Sequence, residues 1–149
     1  MSLAVTEVFA TPLRLSPRLV SGLGAERSTL RAAVQSFDSA VIVYVGGEID
    51  ACSEETWRLL LAEASAFAAD PQLFIVDVSG VDFMSCSSYQ ALADEAVRCR
   101  ARGINLCLVS LDSAVSRIVA ACGLSDVLTV HTSAPQSLQL MEQSREEAC

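Results

Sequence analysis

The sequence has little basic charge and few of the residues that build metal or nucleotide sites. Ten Lys and Arg residues stand against 18 Asp and Glu residues, giving a net charge of -8. Binding to nucleic acid regardless of base sequence needs a basic face, so this balance argues against it. There is one histidine, and the six cysteines form no close Cys-x-x-Cys pair. We therefore expect no nucleic-acid partner, no metal and no cofactor, and an acidic chain that suits a basic partner.

Long apolar runs are also missing. No stretch approaches the ~18 consecutive apolar residues of a membrane span. The N-terminus lacks the charged start and apolar block of a signal peptide. Scattered cysteines are typical of a reducing compartment. The sequence thus predicts a cytoplasmic protein with no membrane span.

Short apolar runs that alternate with helical patterns predict an α/β domain. The expected architecture is a mixed, mostly parallel sheet of about five strands with about four helices. An apolar content of 52% over 149 residues suits one domain with a real core. We place the strands at 30–35, 40–45, 73–76, 105–109 and 127–130, and the helices near 54–67, 89–102, 113–122 and from about 133.

The domain is expected to span residues 28–143, between a flexible N-terminal extension, 1–27, and a charged tail, 144–149. Prolines and glycines break the periodicity of the extension. Its apolar residues leave a second interpretation open, because they could bind a groove or a second subunit, as in a homodimer. Arg98, Arg100 and Arg102 crowd the predicted end of the second helix, and we expect them to be solvated.

The stretch Val78 to Leu92 joins a buried strand to a helix. Tyr89, Leu92 and Ala96 recur at helical spacing after a run of small residues, Ser85-Cys86-Ser87-Ser88. Hydroxyl residues at such a position cap the free N–H groups of the first helical turn. The same N–H groups and the helix dipole favour an anion or a thiolate there.

This stretch resembles the signature of the STAS family, the anti-sigma-factor antagonists. Phe83-Met84 correspond to the family's apolar pair, and Ser85-Cys86-Ser87-Ser88 correspond to its Asp-Ser-Ser-Gly. Gly47-Glu48-Ile49-Asp50 resembles the family's Gly-Glu-Leu-Asp turn, and Gly123-Leu124 resembles its Gly-Leu step. The resemblance covers most of the chain and implies a single STAS-like domain.

The resemblance implies a binding protein, not an enzyme, that binds a kinase-like anti-sigma factor and so releases a sigma factor. In phosphorylated members the kinase modifies the first Ser of the tetrad, and Cys86 stands at that position. Control would then be constitutive, redox-tuned, or moved to phosphate on Ser85 or Ser87. The strand ends and the motif together assign partner binding to Glu48, Asp50, Asp82, Phe83, Met84, Ser88 and Tyr89.

Each switch residue also has a purely structural interpretation. Ser85 and Ser87 could only cap the helix, and Cys86 could be a small, half-buried replacement for a serine. Alternatively, Cys86 is a reactive thiol at a helix N-terminus. A disulfide from Cys86 to Cys122 would join helix ends that parallel topology places ~15 Å apart, at opposite poles.

Two other functions stay open at this point. Related STAS domains serve as accessory subunits of transporters and lipid-trafficking complexes. A cysteine-dependent enzyme is the less favoured reading, because Leu92 stands where a cysteine phosphatase loop would need Arg. The predicted sheet edge also lacks a glycine-rich nucleotide fingerprint.

Overall fold

A computed structural model of the chain describes residues 11–12, 14–23, 28–37, 40–68 and 72–132. Its strands form one sheet in which each strand lies beside the next in the chain. The strands are β1 (Thr11–Pro12), β2 (Arg31–Phe37), β3 (Ala40–Ile49), β4 (Gln72–Met84), β5 (Ile104–Val109) and β6 (Thr129–His131). β1 to β3 pair antiparallel, and β3 to β6 pair parallel. The predicted mixed, mostly parallel sheet is confirmed, with the two-residue β1 added at its edge.

Four helices accompany the sheet within the described residues: α1 (Pro17–Leu23), α2 (Glu54–Ser65), α3 (Cys86–Ala101) and α4 (Ser113–Ala121). Asp112 caps α4, because its Oδ1 accepts a hydrogen bond from the Ala114 N–H at 2.9 Å. α3 ends beside Gly103, which has a φ of 79°. None of the helices in the described ranges is long and apolar enough to cross a membrane. The helix predicted from about residue 133 lies outside the described residues.

The core lies mainly between the sheet and the helices α2, α3 and α4. Trp57, Phe74 and Leu92 are all fully buried there. A smaller apolar cluster occupies the other face of the sheet, where Ile42, Ile75 and Cys107 are buried. Both faces of the central strands are therefore covered, which explains why these strands read as continuous apolar runs.

β4 is much longer than the predicted strand at 73–76. Its second half, predicted as a loop, pairs with the end of β3, so that Glu48 lies beside Phe83 and Ile49 beside Met84. Two register shifts let this pairing continue past Tyr44. Gly47 permits it, because its φ is +90° and a Cβ atom there would collide with the Thr29 carbonyl oxygen. The glycines that we expected to end β3 are thus an irregularity within it.

The structure also differs from the predicted flexible extension over residues 14–23. α1 lies against α2, and Leu19 is completely buried. The Ser16 N–H donates to Glu63 Oε1 at 2.9 Å. Leu19 belongs to the main core cluster. The remaining residues of the extension, apart from 11–12, and the tail 144–149 lie outside the described ranges, and the domain limits stay a prediction.

Candidate functional site

The candidate site forms where β3 and β4 end side by side and α3 begins. The carbonyl oxygen of Ile49, the last residue of β3, accepts two hydrogen bonds from the start of α3. The Ser85 N–H donates at 2.9 Å and the Ser88 hydroxyl at 3.1 Å. The first turn of α3 is therefore fixed directly to the end of β3.

Ser85 is the N-cap of α3, as predicted. Its backbone is extended, with φ -70° and ψ 161°, and its Oγ accepts a hydrogen bond from the Ser88 N–H. The same Oγ lies 2.7 Å from Ser88 Oγ and 3.1 Å from Ser87 Oγ. Three hydroxyls thus form a short chain over the helix N-terminus, with Ser85 in the middle.

α2 supports this turn from below through Trp57. The indole Nε1 donates to the Ser88 carbonyl oxygen at 3.0 Å, and both residues are completely buried. The hydrogen bond spans 31 positions of sequence, and no local pattern indicated it.

The exposed surface above this framework is here called the strand-end face. Glu48, Asp82, Cys86 and Ser87 are exposed, and Phe83 is 51% exposed. Asp50 and Met84 are half-buried at its margin. The strand-end face comprises Glu48, Asp50, Asp82, Phe83, Met84, Cys86 and Ser87.

Three predicted residues differ from their expected places. Ser88 and Tyr89 are buried, so Ser88 supports the strand-end face and does not form part of it. The helical spacing of Tyr89 with Leu92 already indicated its burial. Cys86 is exposed, not half-buried, because it is the first residue of α3 and no neighbouring element covers it within the described ranges.

The loop before α2 is held by its own polar groups. The Asp50 N–H donates to Ser53 Oγ at 3.0 Å, and the Cys52 N–H donates to Asp50 Oδ1 at 3.0 Å. Ser53 occupies the predicted N-cap position of α2, but its side chain bonds to Asp50 and makes no capping bond to the helix. Asp50 is therefore positioned by its loop at the margin of the strand-end face.

Tyr89 is buried beneath the strand-end face, and several neighbouring groups affect its pKa. Burial, first, and the Asp112 carboxylate, second, raise the pKa of Tyr89 above its ordinary value of 10.0. The thiols of Cys122 and Cys86 act in the same direction. Both cysteines are free and exposed.

Replacing Tyr89 with phenylalanine should change the response of the fold to alkaline pH. Because the pKa of Tyr89 is raised in the folded state, the unfolded chain loses the phenol proton first. This stabilisation is complete below pH 10 and is lost as pH rises further. We expect the free energy of unfolding to fall less steeply with pH in Tyr89→Phe than in the wild type above about pH 10, in urea titrations. The same dependence of stability on pH in wild type and Tyr89→Phe would contradict the raised pKa of Tyr89. Tyr44→Phe measures separately the contribution of Tyr44, whose pKa is also raised.

Cys107 and His131 lie on β5 and β6. Burial raises the pKa of the Cys107 thiol to about 11, and this residue is buried in the sheet. Burial also lowers the pKa of His131, the half-buried end of β6. Within the described ranges, no group of three or more His, Cys, Asp or Glu residues could hold a metal ion.

Comparison with known protein families matches residues 31–136 to the STAS domain. The chain belongs to the STAS domain family. The motif at 83–88 and the turn at 47–50, on which the resemblance was based, both lie inside this match, and each contributes residues to the strand-end face.

Two proteins of Mycobacterium tuberculosis resemble this STAS domain. One, of strain H37Rv, is named as an anti-anti-sigma factor and is 49% identical over 138 residues, covering 93% of each chain. The other is named anti-sigma-F factor antagonist RsfA and is 47% identical over 111 residues, covering 74% of this chain and 87% of its own. Both similarities extend well beyond the motif.

Solved structures confirm the fold. An anti-sigma factor antagonist from Mycobacterium paratuberculosis superposes with a TM-score of 0.66 at 20% identity, covering 74% of this chain and 92% of its own. The anti-sigma factor antagonist SpoIIAA in its unphosphorylated form gives 0.60 at 15% identity, covering 76% and 97%.

Proposed function

We propose that this STAS domain is a non-enzymatic antagonist that binds an anti-sigma factor of the kinase-like ATPase fold and so releases a sigma factor. The observation that carries the proposal is the strand-end face, which presents the family's switch position on a turn fixed by Ile49 and Trp57. Relatives at 47% and 49% identity are named for antagonism of anti-sigma factors. The same cytoplasmic compartment would hold both partners.

The chemistry of the strand-end face suits a partner with basic and apolar groups. Glu48 and Asp82 are exposed carboxylates, and the whole chain carries a net charge of -8. Complementary charge speeds encounter and rejects acidic competitors. Phe83, half-exposed beside them, supplies an apolar anchor of the kind that dominates binding energy at interfaces.

Control of binding would pass through the Cys86 thiol and not through a phosphoserine. Cys86 is a free, exposed cysteine at the first position of α3, so small reagents can reach its sulfur. The thiolate attacks one sulfur of a low-molecular-weight disulfide, a new S–S bond forms, and the other half leaves as a thiol. The attached group then stands on the strand-end face and blocks the partner.

A longer side chain at position 86 should mimic the bulk of the attached group. We expect Cys86→Glu to weaken binding to the anti-sigma factor at least about tenfold, as for one unfavourable buried contact at an interface. Cys86→Ser should bind like the wild type, because serine has almost the same shape. Isothermal titration of the purified partner into each full-length variant measures this effect.

The matched control places the same new charge elsewhere. Asn105 is exposed at the start of β5, at the opposite end of the parallel strands, so Asn105→Glu should leave affinity unchanged. Equal binding by wild type and Cys86→Glu would remove the strand-end face from the interface. A partner that does not bind the wild type would reject the proposed function itself.

The form of control is tested by intact-mass analysis of protein taken from its own cells with thiols trapped on lysis. We expect a reversible thiol adduct at Cys86 under oxidative stress that is absent in Cys86→Ser. Loss of two hydrogens would indicate a disulfide, for example to Cys122. A phosphoryl group on Ser85 or Ser87 would contradict redox control and restore a kinase switch on a neighbouring hydroxyl.

A further inference from the structure

A cleft of about 220 Å³ opens beside the strand-end face. Its walls are the end of β4, the buried Tyr89 of α3 and the first residues of α4. Phe83 belongs to both the strand-end face and the cleft, so the two surfaces are continuous. The lining side chains used below are Asp82, Phe83, Tyr89, Ser110, Asp112 and Ile118.

The cleft is acidic. Asp82 and Asp112 line it, and no basic residue is among the described residues that do so. Asp112 uses Oδ1 to cap α4, which leaves its second oxygen for another donor. Asp82 is exposed and makes no hydrogen bond or ion pair with any other described residue. Two carboxylates therefore have acceptor capacity that the described part of the fold does not use.

Tyr89 gives an independent indication of a missing partner. It is only 3% exposed, yet its hydroxyl makes no hydrogen bond with the described residues. Buried phenol groups usually have such a partner, and an unsatisfied one is costly. The Asp112 carboxylate acts on this hydroxyl, so both groups lie together at the cleft. A ligand with N–H donors would satisfy them at once.

The size and rim of the cleft suit a side chain better than a small molecule. Pockets for small molecules usually exceed about 300 Å³. Phe83 is 51% and Ile118 37% exposed at the cleft, so its rim is apolar. Arginine and lysine combine a charged head with an apolar stem that packs on such a rim. Arginine fits better, because its planar fork of five N–H donors matches carboxylates and stacks on aromatic rings.

We propose that this cleft receives an arginine side chain of the anti-sigma factor, between Asp82 and Asp112 and against Tyr89. The inference rests on the proposed function for the identity of the partner. The cleft itself is defined by this chain alone, so it can be tested without the partner. Insertion there would anchor the partner next to Cys86 and place its body over the strand-end face.

The first test titrates N-acetyl-arginine amide into the isotope-labelled full-length chain and follows its amide and Tyr89 ring signals by NMR. We expect saturable shifts confined to the cleft. N-acetyl-citrulline amide, which has the same shape without the charge, should bind much more weakly. Asp112→Asn and Asp82→Asn should each weaken arginine binding roughly tenfold, as for one charged hydrogen bond. Asparagine is also a good N-cap, so Asp112→Asn should leave α4 intact.

Asp126→Asn is the matched control, because Asp126 is an exposed acid outside the cleft. Shifts that do not saturate, that spread over the acidic surface, or that persist in the Asp82 and Asp112 variants would overturn the cleft as a site. If the cleft binds the arginine probe but Asp112→Asn leaves affinity for the anti-sigma factor unchanged, its assignment to the partner is overturned. Failure of the wild type to bind the partner would instead reject the proposed function, whatever the arginine probe shows.

Discussion

Trp57→Ala is expected to destabilise this STAS domain by about 4 kcal/mol, which is a large part of the stability of a domain of this size. Trp57 is completely buried at the centre of the main core, so alanine would leave a cavity lined by α2, α3 and the sheet. The Ser88 carbonyl oxygen would also lose the indole N–H that it accepts at 3.0 Å. Urea unfolding followed by circular dichroism measures the loss.

Trp57→Phe separates the hydrogen bond from the packing. Phenylalanine keeps most of the apolar volume but cannot donate to Ser88, so we expect a smaller loss of about 2 kcal/mol. Amide hydrogen exchange should then increase most in the first turn of α3, because that turn loses its support from α2. If hydrogen-exchange protection falls evenly over the core and not most in the first turn of α3, Trp57 stabilises the fold through its packing volume alone.

The second large effect concerns Glu95, a buried carboxylate between α2 and α3. Its side chain is 3% exposed. Oε1 accepts from Arg98 at 2.9 Å, and Oε2 accepts from the Ser65 hydroxyl at 2.8 Å. Arg102 lies 3.8 Å from Oε2 and also donates to Ser65 at 3.1 Å. Arg98 and Arg102, expected as a solvated helix end, therefore neutralise a buried charge, although they are 58% and 45% exposed.

Removing Arg98 and Arg102 together should lower the free energy of unfolding more than removing both arginines and Glu95. Arg98→Met with Arg102→Met leaves the Glu95 carboxylate buried without a counter-charge, with the Ser65 hydroxyl and the weak Cys99 thiol as donors among the described residues. We expect the free energy of unfolding to fall by about 2–3 kcal/mol. This is below the usual cost of breaking a buried pair, since both arginines are partly solvated. Adding Glu95→Leu should recover most of the stability, because an apolar side chain needs no counter-charge.

Urea titrations of the double and triple variants measure this coupling. Arg100→Met is the matched control, because Arg100 is exposed on the same helix end and, among the described residues, hydrogen-bonds to the Asp126 carbonyl oxygen and to no carboxylate. A triple variant no more stable than the double would show that Glu95 contributes through packing with Ser65 and not through its charge. Equal losses in the control would indicate a general effect of charge at the end of α3.

The sequence predicts the order and mixed character of the sheet because each central strand is an apolar run between turn signals. The same signals do not predict the end of β4. Ser79 to Phe83 mixes polar and apolar residues and contains Gly80, so it resembles a loop. Only its pairing with β3 makes it a strand, and that pairing joins segments more than thirty residues apart.

The same limit applies to the site. The motif identifies the turn at Ser85 to Ser88 and the capping role of Ser85, both local features of a helix N-terminus. It does not indicate which residues are exposed, because Ser88 is buried by contacts with Ile49 and Trp57 from other elements. Leu19 likewise reads as part of a tail until α2 supplies the groove that buries it. Contacts between distant segments determine whether these residues are buried. Such contacts leave no periodic pattern in the sequence from which they could be predicted.

The hydrogen bonds that hold the first turn of α3 to β3 and α2 have a kinetic consequence. A surface fixed before encounter loses little conformational entropy on binding. A modification at Cys86 would then act as a steric and electrostatic obstacle and would leave the free chain unchanged in shape. The residence time of the complex should therefore respond to oxidation far more than the circular dichroism spectrum of the free chain does. Regulation would be visible as faster dissociation, in a molecule that looks the same before and after it is modified.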